Sequence, residues 1–141
     1  MEDFAKKFLE EATDLINDLE SAVLALESQP DDEEITNEVF RIMHSLKGGG
    51  AMFGFDLVSD FTHNMENIYD DVRSGKRQVS QKLFDITLES VDHLRSLLSK
   101  PDEKQTKQTH QNLLERINEI LDDQNSDTSL KPEDTEADEK P

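Results

Sequence analysis

The chain has 141 residues, a formal net charge of −18, no cysteine and no tryptophan, with 33% hydrophobic and 34% charged residues. These figures suit one domain of ordinary size and exclude disulfides, thiolate catalysis and cysteine-ligated zinc. The acidic excess argues against nucleic acid or an anionic membrane surface as partner, and no apolar run is long enough for membrane insertion.

The N-terminal residues, Met1-Glu2-Asp3-Phe4-Ala5-Lys6-Lys7, lack the basic and apolar regions of a signal peptide, so a cytoplasmic location is expected. The charge is uneven. Residues 1–34 carry twelve acids and two bases, residues 122–141 eight acids and two bases, and the span 35–121 is nearly balanced at −2. An anion, or an acidic protein pocket, meets least repulsion in the middle of the chain.

Apolar residues at Phe4, Phe8, Ala12, Leu15, Ile16, Leu19, Ala22, Val23 and Leu26 recur in steps of three and four, which predicts an amphipathic helix over 3–28. Ser28-Gln29-Pro30-Asp31 breaks it. Asp31, with Glu34 three residues on, resembles a capping box for a second helix that runs to about Phe53 and is closed by Gly54. Asp56 is the expected N-cap of a third helix whose buried stripe is Leu57, Phe61, Met65, Ile68 and Val72.

Ser74-Gly75-Lys76-Arg77 ends that helix, and Ser80 caps a fourth. Leu83, Phe84, Thr87, Leu88, Val91, Leu94 and Leu98 are its expected inner face. A fifth helix over 104–122 carries Leu113, Leu114, Ile117, Ile120 and Leu121. No strand pattern and no internal repeat is present. The expected fold is all-α: an antiparallel up-down four-helix bundle with an appended fifth helix, forming one domain over 1–122. Residues 123–141 are polar, acidic and carry one leucine, so they read as a disordered tail or linker.

The second helix contains Phe40-Arg41-Ile42-Met43-His44-Ser45-Leu46-Lys47-Gly48-Gly49-Gly50. On a helical wheel Val39, Ile42, Met43, Leu46, Gly50 and Phe53 share one side, and His44 lies near the opposite side. Phe40, Lys47, Gly48 and Ala51 flank it. Gly48 leaves the surface beside the ring bare. Each glycine in a helix costs roughly 0.5–1 kcal/mol relative to alanine, so three in succession invite an explanation, and close approach by another molecule supplies one.

His63, Glu66 and Asp70 share a face of the third helix. His44 lies ten residues before Gly54 and Glu66 twelve after it, so at about 1.5 Å per residue the two sit at nearly the same height in a hairpin of helices. A carboxylate there can hold one ring nitrogen of His44 and leave the other free as a nucleophile, with Lys47 offering positive charge to an incoming phosphoryl oxygen. An exposed ring, a polarising carboxylate, a cation and a clear approach are what a phosphoacceptor histidine needs, because a partner can supply the rest.

His44-Ser45-Leu46-Lys47-Gly48-Gly49-Gly50, then Phe53-Gly54-Phe55, then His63-Asn64-Met65-Glu66-Asn67 form an ordered set of motifs. By that set the chain resembles the histidine phosphotransfer (HPt) family, and most closely the N-terminal phosphoacceptor domain of the chemotaxis histidine kinase CheA, over about residues 3–122. The resemblance implies that His44 is phosphorylated on Nε2, that Glu66 holds Nδ1, and that His63 and Lys47 complete the polar surround. It implies no cofactor in this domain, with ATP and magnesium bound by a separate kinase domain. It implies response regulators of the CheY or CheB type as phosphate recipients. Met52 departs from the family, where a threonine is common before the Phe-Gly pair. No ATP lid, Walker motif or kinase dimerisation helices occur in these residues, so a fragment of a kinase cut within a linker, or a free-standing relay protein, is expected.

Two other readings remain open on the residues. A metal-binding bundle could use His44, His63, Glu66, Glu89 and His93, although the spacing here is His-x-x-Glu once, not the paired Glu-x-x-His of di-iron bundles. A pure protein-interaction bundle would make His44 an ordinary surface residue and the glycines packing devices. His93 is expected to form a surface pair with Glu89, and His110 to be solvated. Ser21, Ser45 and Ser59 have no base within helical reach.

Overall fold

Among the described residues, apolar side chains spaced by three and four build five helices: α1 (Glu2–Ser28), α2 (Glu33–Met52), α3 (Asp56–Arg73), α4 (Gln81–Ser99) and α5 (Lys104–Asp122). The computed structural model describes residues 2–123. The acidic segment 124–141, expected to be disordered, lies outside the described residues. Helices α1 to α4 close an up-down bundle in which each packs on its neighbours, and α5 lies along α3 and α4. Among the described residues no helix is long and apolar enough to cross a membrane.

Most of the expected core is buried, with differences at the helix ends. In α1 the stripe Phe8, Ala12, Ile16, Leu19, Val23 and Leu26 is sealed, but Phe4 is 60% exposed. The bundle's end layer closes at Phe8, which packs on the rings of Phe53 and Phe55 at 5.6 and 5.0 Å, and Phe4 lies one turn beyond it. The cap of α2 is Asp32, not Asp31. The turn closed by the Asp32 N–H on the Gln29 carbonyl places Asp31 within it, and the Asp32 carboxylate accepts from the N–H groups of Glu34 and Ile35 at 2.9 and 3.1 Å.

The hairpin between α2 and α3 is very short. Gly54 takes φ +85°, and the Phe55 N–H donates to the Gly50 carbonyl at 2.7 Å, the longer of the two bonds of a Schellman ending. Phe55 thus finishes one helix and stands at the N-cap of the next. Asp56 is therefore the first residue of α3 and not its cap. The buried stripe of α3 begins at Val58 and includes Phe61, Met65, Ile68 and Tyr69, whereas Leu57 is 42% exposed and Val72 only half-buried.

Ser80 caps α4 as expected, its hydroxyl accepting from the Leu83 N–H at 3.0 Å. Because α4 touches α1, α3 and α5, its buried face is broader than one stripe and takes in Ile86, Ser90, His93 and Leu97, while Leu88 and Leu98 sit at its edges. From α5, Leu113, Ile117 and Ile120 enter the core, with Leu114 and Leu121 packed at its margin. Arg77 fastens the end of α5 by donating to the Ile120 carbonyl at 2.8 Å.

The two histidines expected at the surface are not there. His93 is buried on α4, with the Phe61 ring edge-on at 4.9 Å, and His110 on α5 is half-buried. His93 Nε2 and His110 Nδ1 lie 2.8 Å apart and share a hydrogen bond. Glu89 instead takes the Arg116 guanidinium at 2.7 and 2.9 Å. Burial, followed by the neighbouring charge of His110, pushes His93 down to about 4. Burial also lowers His110, against the opposing pull of Asp60.

A group with a depressed folded-state pKa takes up its proton more readily in the unfolded chain. Stability from this pair is therefore fully present above about pH 6.5 and is lost as the pH falls toward 4. Chemical denaturation across that range is expected to show a decline of up to about 3 kcal/mol from His93, and the slope between pH 6.5 and 5 is expected to flatten in His93→Leu. An equal slope in the variant would assign the decline to other groups.

Candidate functional site

Helix α2 carries a core face, Val39, Ile42, Met43, Leu46 and Gly50, and its opposite side bears His44 with 64% of the side chain exposed. The adjoining α3 brings Glu66 to the same height. Glu66 Oε2 lies 2.6 Å from His44 Nδ1, and Glu66 Oε1 lies 2.6 Å from Lys47 Nζ. One carboxylate thus holds both an imidazole and an ammonium. Its side chain is only 7% exposed.

Burial alone would push this carboxyl upward. The hydrogen bonds and charges of Lys47 and His44 together outweigh that penalty and hold Glu66 below the usual carboxylate range. An ionised carboxylate only accepts hydrogen bonds. Nδ1 of His44 must then be the donor, and the neutral ring carries its lone pair on Nε2.

Because Glu66 is buried, its removal would strand the half-buried Lys47 ammonium and disturb more than the ring. One sequence expectation needs adjustment: Lys47 is not a free cation, because its charge is already engaged by Glu66.

His63 is exposed, with Lys47, Gly48, Ala51, Asp56, Ser59 and Asp60 lining the same shallow hollow beside the His44 site. Gly48 is open, and a Cβ there would meet nothing within 4 Å. The other two glycines are explained within the domain. A Cβ on Gly49 would run into the Phe8 ring, and one on Gly50 would lie 3.1 Å from both the Phe55 carbonyl oxygen and the Ser59 nitrogen. Only Gly48 therefore fits the idea of clearance for another molecule.

Phe40, expected as a rim residue, is half-buried with its ring 6.2 Å from that of His44 and tilted by 18°. The Arg73 guanidinium covers it at 3.9 Å from the ring centroid. Sequence reasoning missed Arg73, although the signal was present. The hairpin count that pairs His44 with Glu66 also sets Phe40 opposite Asp70, and Arg73 follows Asp70 by three, their side chains bonded at 3.0 Å. Among the described residues no three or more His, Asp or Glu side chains converge as metal ligands.

An outward histidine on a helical bundle, tethered by a carboxylate of the next helix and left open by a glycine, defines a phosphotransfer-type bundle. The Hpt domain model matches residues 3–100, and the chain belongs to that family. It is 38% identical over 96 residues to the chemotaxis protein CheA of Salmonella typhimurium and 37% identical over 92 residues to CheA of Borreliella burgdorferi, covering 68% and 65% of this chain. It spans only 14% and 11% of those two relatives.

Its structure is similar to the CheA phosphotransferase domain of Thermotoga maritima, with TM-score 0.67 and 30% identity over 72% of this chain and 96% of that one. The fold is also shared, at TM-score 0.72 and 20% identity over 84% of this chain and 98% of the other, with the phosphorylated P1 domain of CheA3 solved in complex with CheY6 from R. sphaeroides.

The geometry fixes two expected outcomes. In ring-nitrogen NMR at neutral pH, neutral His44 should be chiefly the Nδ1–H tautomer, and Glu66→Ala should shift it toward Nε2–H. An unchanged tautomer in the variant would show that Glu66 does not orient the ring. Gly48→Ala should keep or raise stability by up to about 1 kcal/mol through helix propensity, whereas Gly50→Ala should lower it by about 1–3 kcal/mol through overpacking. Equal effects in thermal unfolding would refute the assigned difference between these glycines.

Proposed function

We propose that this domain is the phosphoacceptor module of a cytoplasmic chemotaxis-type histidine kinase, and that His44 is the residue phosphorylated. A separate kinase domain holds ATP and magnesium, and this chain supplies the acceptor. The lone pair of His44 Nε2 attacks the γ-phosphorus, an Nε2–P bond forms, the bond from phosphorus to the bridging oxygen breaks, and ADP leaves. The ring then carries positive charge, which the Glu66 carboxylate neutralises through Nδ1–H. In the onward step an aspartate oxygen of a CheY- or CheB-type response regulator attacks the phosphorus, the N–P bond breaks, and the electron pair returns to Nε2.

One observation carries this reading: the 2.6 Å contact between Nδ1 and a buried, ionised carboxylate on an otherwise exposed ring. A carboxylate held this way is expensive for a domain whose function is packing alone, since burial opposes its charge. The interaction-bundle alternative offers no use for it. Lys47 keeps Glu66 ionised and lies at the edge of the hollow that contains His63, Gly48 and Ala51.

Incubation with a cognate kinase domain and Mg-ATP is expected to give an acid-labile, base-stable phosphate that is absent in His44→Gln. Glu66→Ala should slow its formation about 10- to 100-fold, the worth of a charge-assisted hydrogen bond. Lys47→Ala should slow it by a smaller factor. Label that survives in His44→Gln would place the acceptor elsewhere.

A further inference from the structure

Lys47, three residues after His44, is tied at 2.6 Å to a carboxylate that is 7% exposed. A dianionic phosphoryl group on Nε2 would have to share that ammonium with Glu66. The opposite flank of the ring holds a second cation under looser restraint. Arg73 lies over Phe40 at 3.9 Å, and the Phe40 ring lies 6.2 Å from the imidazole. Together these distances place the guanidinium carbon within about 10 Å of the His44 ring, one Debye length at 0.1 M ionic strength.

The Arg73 partner is weak. Its Nε donates to Asp70 Oδ1 at 3.0 Å, and both side chains are substantially exposed, at 43% and 56%. An exposed i,i+3 pair of this kind contributes little to stability and exchanges readily. The planar ring of Phe40 keeps the guanidinium near the site by stacking while leaving its edge N–H groups free to bond elsewhere. Helical side chains lean toward the N-terminus of their helix, so the His44 ring leans toward the turn of Phe40 and away from Gly48. The 6.2 Å ring separation agrees with that lean and sets the imidazole beside the Phe40 platform on which Arg73 lies.

We infer that Arg73 is a phosphoryl-contacting residue of this site: it exchanges Asp70 for the phosphate on His44 and steadies the phosphorylated state, with Phe40 as its platform. Charge-assisted, forked hydrogen bonds to a phosphate are stronger than a single exposed bond to a carboxylate, which gives the exchange its direction. The inference rests on phosphorylation of His44 as proposed above.

The test uses the full chain and phosphoramidate, a small donor that needs no kinase. Its N–P bond breaks, ammonia leaves, and the Nε2–P bond forms. Phosphorus NMR then follows the second ionisation of the phosphoryl group with pH. Loss of a contacting cation is expected to raise that ionisation by roughly half a pH unit in Arg73→Gln, with Arg73→Lys recovering most of the difference. A role confined to packing on Phe40 would leave the phosphoryl ionisation unmoved. Wild-type behaviour in Arg73→Gln would overturn this inference alone. Failure of the wild-type chain to carry phosphate on His44 would overturn the phosphoacceptor reading, and this inference with it.

Discussion

The carboxylate of Glu66 is the constraint on which the site depends. Buried on α3, it opposes its own ionisation, and the ammonium of Lys47 together with the Nδ1–H of His44 overcomes that opposition. Each of the three groups fixes the others. Lys47 keeps the acid charged, the charged acid selects the ring tautomer, and the tautomer leaves the free lone pair on Nε2. The arrangement also spans two helices, so it depends on the packing of α2 against α3.

That packing is set by backbone geometry at one end of the hairpin. The Schellman ending at Gly54 and the double use of Phe55 allow only three residues between the helices. Gly50 lets α3 approach α2 closely near this turn, where a Cβ would press on the Phe55 carbonyl and the Ser59 nitrogen. The register fixed there carries ten residues down to His44 and twelve up to Glu66. Rigid helices convert a tight turn into a hydrogen bond about three turns away. Gly49 serves the other interface by yielding room to Phe8 of α1. Gly48 alone is spent on openness.

Much of this was legible from the residues. The helix periods were strong, and the hairpin count around Gly54 located the partner of His44 because helical rise is nearly constant. The misses fall where periodicity is silent. Asp32 rather than Asp31 caps α2, since the choice depends on which residue a turn consumes. Leu57 and Val58 lie four and three residues before Phe61, on either side of its stripe, and the close approach of α2 at Gly50 is what covers Val58 and leaves Leu57 outside. His93 and His110 were misplaced because α4 contacts three helices, and a broad buried face has no clean stripe to read. The burial of Glu66 and the engagement of Lys47 were hidden for a related reason: an i,i+3 spacing within α2 says nothing about a shared acceptor on α3. Arg73 was missed because its stacking on Phe40 depends on a long side chain leaning back along its own helix.

The tether between Glu66 and Nδ1 dictates which nitrogen is available for chemistry. The most direct measurement is therefore the regiochemistry of the phosphorylated chain, read by nitrogen–phosphorus NMR coupling in the imidazole of His44 after reaction with the kinase domain and Mg-ATP. The result expected is phosphorus on Nε2, with Nδ1 still protonated and bonded to the carboxylate. Phosphorus on Nδ1 would contradict a site organised around Glu66.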